Sequence, residues 1–278
     1  MTTTVPSIPF HDGNSVPQLG YGVWQVEDEV AADVVAQAIE AGYRHVDTAA
    51  GYGNEGGVGR AVKAAGVPRE ELFITTKLAN GDQGFESAQQ ALETSLEKLG
   101  MDYVDLYLIH WASPQRGTYL ESWKALIELQ KQGKAKSIGV SNFPIAQLEE
   151  IISETGVVPV MHQIELHPHF QQGELRAYHA QHEIVTEAWS PLGQGGDILK
   201  HPVITRIAEA HDADPGQVII AWHLAIGNVV IPKSETPKRI VSNFASAQLE
   251  LSSAEIEEIN GLDDPDGRIG ADPANPGF

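Results

Sequence analysis

A regular alternation of strand-like and helix-like segments is the feature that most restricts the fold of this chain. Short apolar or β-branched runs end in polar residues, and amphipathic stretches such as Asp28 to Ala41 follow them. The predicted strands end at Gly22, Asp47, Lys77, His110, Asn142, Glu165, Ser190 and Ser234. Eight such strand–helix units predict an α/β fold, a (β/α)8 TIM barrel. A doubly wound parallel sheet is the alternative.

Three further segments complete the predicted architecture. The stretch from Ser7 to Leu19, with its D-G-N turn, predicts a β-hairpin that precedes the barrel. Two extra helices are expected at His201 to Asp212 and at Ser253 to Gly261. Because no linker divides the chain, we expect one domain over 1–278, with residues 262–278 as a C-terminal tail near the active site.

The composition restricts the class of protein. The chain has no cysteine, which excludes disulfides, thiolate metal sites and a cysteine nucleophile. Its formal net charge of −20 argues against nucleic acid and anionic membranes as partners. The first residues have no basic, apolar secretory pattern, and no run is long enough to span a membrane. We therefore expect a cytoplasmic protein. Separately, we expect a monomer, although the sequence carries no signal that fixes the oligomeric state.

Four polar side chains fall at or just after neighbouring strand ends, where a barrel carries its chemistry. They are Asp47, Tyr52, Lys77 and His110. A lysine ammonium next to a tyrosine is expected to lower the phenol pKa, and Asp47 can pair with that lysine. His110 can orient a carbonyl oxygen by hydrogen bonding. Since no nucleophile accompanies them, the set favours carbonyl reduction by an external hydride donor.

Gly51, Gly53 and Gly56 spell the G-x-G-x-x-G pattern of dinucleotide-binding folds. That fingerprint requires an acidic residue at the end of the next strand, where it binds the ribose. Here the next strand ends in Lys77, and Tyr52 lies between the first two glycines. We therefore interpret the stretch as the loop that carries the proton donor.

Seven stretches occur in order on the predicted strand ends: GYRHVDTAAGYGNE, ITTKL, DYVDLYLIHW, SIGVSNF, HQIELHP, EAWSPLGQG and VVIPKS. Together they resemble the aldo-keto reductase family over nearly the whole chain. The similarity is greatest to prokaryotic members of the 2,5-diketo-D-gluconate reductase and methylglyoxal reductase type. The resemblance implies a catalytic tetrad of Asp47, Tyr52, Lys77 and His110, with Tyr52 as general acid.

The resemblance also implies that NADPH binds across the barrel mouth. Ser141, Asn142 and Gln163 would hold the carboxamide, and Trp189 would stack on the nicotinamide ring. Lys233 and Arg239 suit a 2′-phosphate, although Glu235 beside them leaves NADH as a less favoured alternative. The remaining implied cofactor residues are Gly22, Val23, Trp24, Ser190, Pro191, Leu192, Gln194, Gly195, Ser234 and Asn243.

The expected substrate is a small-molecule aldehyde or ketone, such as a dicarbonyl or a keto-sugar. Trp24, Gly51, Ala79 and Trp111 are the candidate pocket residues, and Asn275 in the tail is a further one. Gly51 and Ala79 stand where relatives usually carry bulkier side chains. We therefore predict a wide active-site mouth.

Two other functions remain open from the sequence. His162, His167 and His169 lie close together along the chain, so a metal-dependent barrel hydrolase is conceivable. We expect no metal, because the HQIELHP stretch is structural in the family that the chain resembles. A non-enzymatic binding protein on the same scaffold is the second alternative, and the intact set of four polar residues argues against it.

Overall fold

The computed structural model describes residues 5–277, and an antiparallel hairpin comes first. Strands β1 (Ser7–Pro9) and β2 (Ser15–Pro17) pair on either side of the predicted turn, where the Phe10 amide donates to the Asn14 carbonyl at 2.8 Å. Phe10 and Val16 of the hairpin are buried in one cluster with residues of the barrel strands. The hairpin therefore covers one end of the barrel.

The main sheet consists of eight parallel strands in chain order. They are β3 (Tyr21–Gly22), β4 (His45–Asp47), β5 (Phe73–Leu78), β6 (Val104–Ile109), β7 (Ala135–Ser141), β8 (Met161–Glu165), β9 (Val185–Trp189) and β10 (Val229–Val230). A parallel bridge between Leu19 and Val230 connects the first strand segment to the last. The predicted α/β barrel with its N-terminal hairpin is confirmed.

Helices follow the strands and cover the outside of the sheet. They are α1 (Asp28–Ala41), α2 (Glu55–Ala64), α3 (Phe85–Leu99), α4 (Tyr119–Lys131), α5 (Ile145–Thr155), α6 (Gly173–Gln181), α7 (Pro202–Ala210), α8 (Pro215–Ala225), α9 (Pro237–Ala245) and α10 (Ser253–Asn260). The α1 bounds match the prediction. Its apolar residues are buried in the large core between helices and strands, as amphipathic spacing requires.

Helices α7 and α10 are the two extra helices that the sequence predicts. They contact each other through an ion pair between Arg206 and Glu258 and through His211, whose Nε2 lies 2.9 Å from Glu255 Oε1. The helix that the sequence analysis did not identify is α8. Its residues from Val218 to His223 are buried without interruption, so it lacks the polar face that makes a helix recognisable by periodicity.

The first and last barrel strands are shorter than predicted. β3 starts at Tyr21 instead of Leu19, and β10 ends at Val230 instead of Ser234. Isolated hydrogen bonds continue the pairing beyond them, from Gly20 N to Val230 O at 2.9 Å and from Gly22 N to Pro232 O at 3.3 Å. Within residues 5–277, no helix has the length and apolar character needed to cross a membrane.

Candidate active site

A cavity of about 820 Å³ opens at the carboxyl ends of the barrel strands. Tyr52 reaches it from a short 3₁₀ turn, Ala50–Tyr52, that directly follows β4. Gly53 ends this turn with φ of 72°, a left-handed conformation that glycine adopts without strain. The G-x-G-x-x-G stretch thus forms the turn that presents the tyrosine, and Gly56 lies in the first turn of α2.

Three of the four predicted catalytic residues, Asp47, Tyr52 and His110, line this cavity, and Lys77 is fully buried beneath them, outside the lining. The Lys77 ammonium donates to Asp47 Oδ1 at 2.6 Å, to the Thr48 carbonyl at 2.9 Å and to the Tyr52 hydroxyl at 3.4 Å. The rings of Tyr52 and His110 meet edge to face, with centroids 5.5 Å apart. The arrangement places a phenol between an ammonium and an imidazole.

Burial dominates the proton affinity of the tyrosine. It raises the pKa of Tyr52 above 10.0, while the Lys77 ammonium acts in the opposite direction. The sequence-based expectation of a lowered phenol pKa is therefore wrong in its net sign, because it omitted desolvation. Burial is the largest single effect and lowers the pKa of Lys77, but Asp47, Tyr52 and Glu187 together outweigh it, and the net shift is upward. Lys77 therefore stays charged at neutral pH.

His110 is neutral at physiological pH. Burial is the main cause that lowers its pKa to about 3, and the Lys77 charge lowers it further. A neutral imidazole has one N–H donor and one acceptor nitrogen, so it can hydrogen-bond a carbonyl oxygen without adding a charge to the site. This agrees with the orienting role that the sequence suggests for it.

A hydrogen-bonded group on β7, β8 and β9 forms the adjacent wall. Asn142 donates to the His110 carbonyl at 3.1 Å and to Ser141 Oγ at 3.0 Å, and it accepts from Trp189 Nε1 at 2.9 Å. Gln163 donates from Nε2 to Asp47 Oδ2 at 2.9 Å. These bonds fix the amides and the indole ring that line the cavity next to the tetrad.

Sequence reasoning missed two buried titratable residues beneath the tetrad, Glu187 and His45. Gln163 Nε2 also donates to Glu187 Oε2 at 2.6 Å, and Glu187 Oε1 lies 3.6 Å from His45 Nε2. Strand alternation was the signal available for finding them. His45 precedes Asp47 by two residues, and Glu187 precedes Trp189 by two, so each pair points to the same side of its strand.

The far end of the cavity is rich in cations. Lys233, Lys238 and Arg239 line it, close to the N-terminus of α9. Lys233 Nζ pairs with Glu235 Oε1 at 2.6 Å, and Arg239 donates to Thr236 Oγ1 at 3.1 Å. In a chain with a net charge of −20, this cluster makes one end of the cavity suitable for an anion.

The C-terminal tail is bound to β8 at the rim. The backbone amides of Ile269 and Gly270 donate to the two carboxylate oxygens of Glu165, at 2.6 and 2.8 Å. A Cβ at Gly270 would lie 2.4 Å from the Trp189 ring, so the tail backbone packs directly on this indole. The tail thus reaches the cavity wall at Trp189.

Most of the predicted site residues line the cavity, and a few do not. Ala79, expected in the substrate pocket, and Asn275 are absent from the lining. Val23, expected at the cofactor, is fully buried and contributes its backbone, donating to the Asp47 carbonyl at 3.1 Å. The lining also includes residues that were not predicted as cofactor or pocket residues: Gln25, Leu199, Asp214, Pro215, Gly216, Ile231, Pro232, Lys238 and Ser242.

The histidines considered for a metal site lie apart. His167 Nε2 is 3.2 Å from Glu165 Oε1, whereas the ring of His169 faces His201. His162 Nδ1 lies 2.8 Å from His179 Nε2 inside the barrel wall. In the described part of the chain, no three His, Cys, Asp or Glu side chains are grouped so that they could hold a metal ion.

Comparisons with known proteins agree with this geometry. Residues 17–264 match the model of the aldo/keto reductase family. An aldo-keto reductase of Mycolicibacterium smegmatis is 52% identical, over 96% of this chain and 97% of the relative. Methylglyoxal reductase DkgA of Salmonella typhimurium is also 52% identical, over 96% of each chain.

Solved structures give the same assignment. The aldo/keto reductase from Brucella melitensis matches with a TM-score of 0.91 and 53% identity, over 94% of this chain and 100% of that one. A mutant of Gox0644 in complex with NADPH matches with a TM-score of 0.95 and 48% identity, over 99% and 100%. From its sequence, its barrel and the arrangement of its site, this chain belongs to the aldo/keto reductase family.

Proposed function

We propose that this protein is an NADPH-dependent oxidoreductase that reduces aldehydes and ketones, including dicarbonyls and keto-sugars, to alcohols. The observation that carries the proposal is the buried Lys77 ammonium, held between Asp47 and the Tyr52 hydroxyl beside a neutral His110. This set can donate a proton, and its lysine is protonated and paired with Asp47, so it is not free to act as a nucleophile. The methylglyoxal reductase DkgA relatives support a carbonyl substrate.

The residues around the cavity fit a nicotinamide dinucleotide. Trp189 offers an aromatic face beside Tyr52 and His110, and Gln163 offers a carbonyl oxygen for a carboxamide. The cationic end, with Lys233 and Arg239, suits the adenosine phosphates. The NADPH complex of Gox0644 and the NADP complex of a Bombyx mori aldo-keto reductase support the same cofactor.

Each residue of the tetrad has a separate task in the proposed reaction. When bound, the reduced nicotinamide supplies a hydride to the carbonyl carbon. His110 holds the carbonyl oxygen in place, and Tyr52 donates its phenolic proton to that oxygen as negative charge develops on it. Lys77 lies 3.4 Å from the phenol oxygen and stabilises the phenolate left behind, while Asp47 keeps Lys77 charged and fixed.

The preference for NADPH rests on the cationic end of the cavity. Arg239 has no ion-pair partner among the described residues, so it can bind a 2′-phosphate, whereas Lys233 is already paired with Glu235. Arginine binds phosphate through two parallel hydrogen bonds, which favours NADPH over NADH. We also propose that residues 1–278 form one domain with 262–278 as its tail.

A panel of carbonyl substrates, assayed with NADPH and with NADH, tests the proposal. Wild-type protein is expected to oxidise NADPH in the presence of methylglyoxal. Tyr52→Phe is expected to lower kcat by roughly 100- to 10,000-fold, the usual contribution of a positioned general acid. NADPH binding, followed by fluorescence, should be retained in that variant. A fully active Tyr52→Phe, or a wild type that binds NADPH but reduces no carbonyl, would refute the proposal and leave the binding-protein alternative.

A further inference from the structure

A second layer of buried polar side chains lies beneath Tyr52 and Lys77, and the proposed reaction makes no direct use of it. Glu187 on β9 is its centre, with a fully buried side chain. Gln163, its register neighbour on β8, donates from Nε2 to Glu187 Oε2 at 2.6 Å and to Asp47 Oδ2 at 2.9 Å. Glu187 is therefore one amide group away from the tetrad.

This contact determines which end of the Gln163 amide is available to a ligand. A primary amide has two N–H donors, and Gln163 directs both of them to carboxyl groups in the barrel floor. Its Oε1 accepts no hydrogen bond from any residue between 5 and 277, and Gln163 lines the cavity. The amide thus presents an acceptor, which is complementary to the NH₂ group of a carboxamide.

The second oxygen of Glu187 lies in a different environment. Glu187 Oε1 has no hydrogen-bond acceptor or donor within bonding distance in the described structure, and it lies 3.6 Å from His45 Nε2. Burial is the main cause that raises the pKa of Glu187 to about 8, and the nearby Asp47 adds to it. Burial also lowers the pKa of His45 to about 3. At neutral pH, Glu187 therefore carries its proton, and the His45 ring is neutral.

The groups that face Glu187 come from several strands. β4 contributes His45 and Asp47, and β5 contributes the Lys77 ammonium. On the neighbouring β10, the residue in register is Val229, which carries no charge. A negative charge at Glu187 therefore interacts with Tyr52 and Lys77 in the tetrad above it.

The effect of that charge has a definite sign. Ionised Glu187 raises the pKa of Tyr52 and also raises the pKa of Lys77. Loss of the Glu187 proton to solvent therefore makes Tyr52 retain its own proton more tightly. At pH values below the pKa of Glu187, its carboxyl is neutral and this effect is absent.

We propose that Glu187 is a positioning residue of the site: its buried carboxyl turns both amide protons of Gln163 toward the barrel floor, and through Gln163 and Asp47 it is coupled to Lys77 and Tyr52. The acidic proton stays on Glu187 at neutral pH and leaves in mildly alkaline solution. The site thereby resists loss of the Tyr52 proton as the pH rises. The inference rests on the proposed function only where it concerns the rate of carbonyl reduction.

The first test needs neither substrate nor cofactor. Tyr52 ionisation is measured as the ultraviolet difference spectrum between each protein and its Tyr52→Phe counterpart, for the wild type and for Glu187→Gln. We expect the midpoint to fall by on the order of one pH unit in Glu187→Gln, because a neutral amide removes the opposing charge. An unchanged or higher midpoint would overturn the proposal. Infrared difference spectra should also show that the wild type loses a protonated-carboxyl band in mildly alkaline solution.

The second test is the pH profile of methylglyoxal reduction with NADPH. Below about pH 7, where residue 187 is neutral in both proteins, the rates of wild type and Glu187→Gln should depend on pH in the same way. On the alkaline side, the variant should lose activity at a lower pH than the wild type does. A uniform loss of activity at every pH would indicate a purely structural role and contradict the inference.

If the wild type reduces no carbonyl, the proposed function fails, while the spectroscopic midpoint of Tyr52 ionisation still decides this inference. If Glu187→Gln does not fold, the wild-type carboxyl band decides it: a glutamate that is already ionised at pH 6 refutes it.

Discussion

The ammonium nitrogen of Lys77 lies 2.6 Å from Oδ1 of Asp47, and both side chains are almost completely buried. Removing one member of such a pair leaves an uncompensated charge in the protein interior, which typically costs about 3–5 kcal/mol of folding free energy. Removing both leaves none. Each member is therefore needed to keep the other stably buried, in addition to the chemistry proposed for Tyr52.

A double-mutant cycle in urea tests this coupling. Asp47→Asn is expected to lower the free energy of unfolding by about 3–5 kcal/mol, because the Lys77 ammonium stays buried without its counter-ion. The double variant Asp47→Asn/Lys77→Met should be more stable than Asp47→Asn alone. If the two single effects add, the ion pair is not a coupled unit and the prediction is wrong.

The barrel and the tetrad could be predicted because their signals are local. Each of the four proposed catalytic residues lies at or just after a strand end, and strand ends are visible in the sequence. The position of Lys77 against Asp47 then follows from the parallel pairing of β4 with β5, which juxtaposes these strands along their length. The extra helices α7 and α10 were visible for the same reason.

The residues that were missed depend on tertiary structure. Glu187 is buried because β9 closes against β8 and faces β4 across the barrel, and no pattern within β9 reveals this. The wrong sign expected for the Tyr52 pKa has the same origin, since desolvation depends on what covers the phenol. Helix α8 was missed because its central residues, Val218 to His223, are buried without interruption, so they show no amphipathic period.

Gly51 lies beside Tyr52, the proposed proton donor, and we predict that its lack of a side chain leaves room there for the substrate. It lines the cavity, and a Cβ at this position would have His110 Nδ1, at 3.9 Å, as its one close neighbour among the described residues. Gly51→Ile should fold and fill the space above the tetrad. We expect kcat/KM for bulky ketones to fall about 10-fold or more relative to methylglyoxal.

Ala79→Val is the matched control, because Ala79 does not line the cavity and should leave the ranking of substrates unchanged. Both variants are compared over the same ketone series at saturating NADPH. If the order of kcat/KM values over the ketone series is unchanged in Gly51→Ile, the side chain at position 51 does not limit the size of the substrate.

Buried neutral histidines should make the protein sensitive to acid. Burial lowers the pKa of His45, His110, His179 and His223 to about 3 and that of His162 well below its usual 6.5. Between pH 6.5 and 3 the unfolded chain binds protons at these positions that the folded chain does not. The free energy of unfolding should therefore fall as the pH drops, by about 1.4 kcal/mol per pH unit for each net proton taken up.

Two carboxyl groups act with the opposite sign. Burial raises the pKa of Glu187 and of Asp47, so the folded state holds protons there that the unfolded chain has lost. The five histidines outnumber these two carboxyl groups, so the free energy of unfolding should still decrease as the pH falls below 6.5. Urea unfolding from pH 7 to 4 measures it. His223→Gln should make the pH dependence of the unfolding free energy shallower by the contribution of one proton.

Arg239 should distinguish the two cofactors. It lines the cationic end of the cavity, and its hydrogen bond goes to Thr236 Oγ1 and not to a carboxylate. Arg239→Ala is expected to raise the Kd for NADPH roughly 10- to 100-fold, the loss of a charge-assisted phosphate contact of about 1.5–3 kcal/mol. The Kd for NADH should change little, because NADH has no 2′-phosphate.

Glu235 provides the complementary test at the same end of the cavity. Glu235→Gln removes the carboxylate that pairs with Lys233 at 2.6 Å, so Lys233 becomes available to a phosphate and the preference for NADPH should increase. Lys124→Ala, at an exposed lysine paired with Glu121 on α4, is the control for Arg239→Ala, because both substitutions remove one positive charge. Fluorescence titration with both cofactors measures all three variants. Equal losses of NADPH and NADH affinity in Arg239→Ala would mean that this end of the cavity does not recognise the 2′-phosphate.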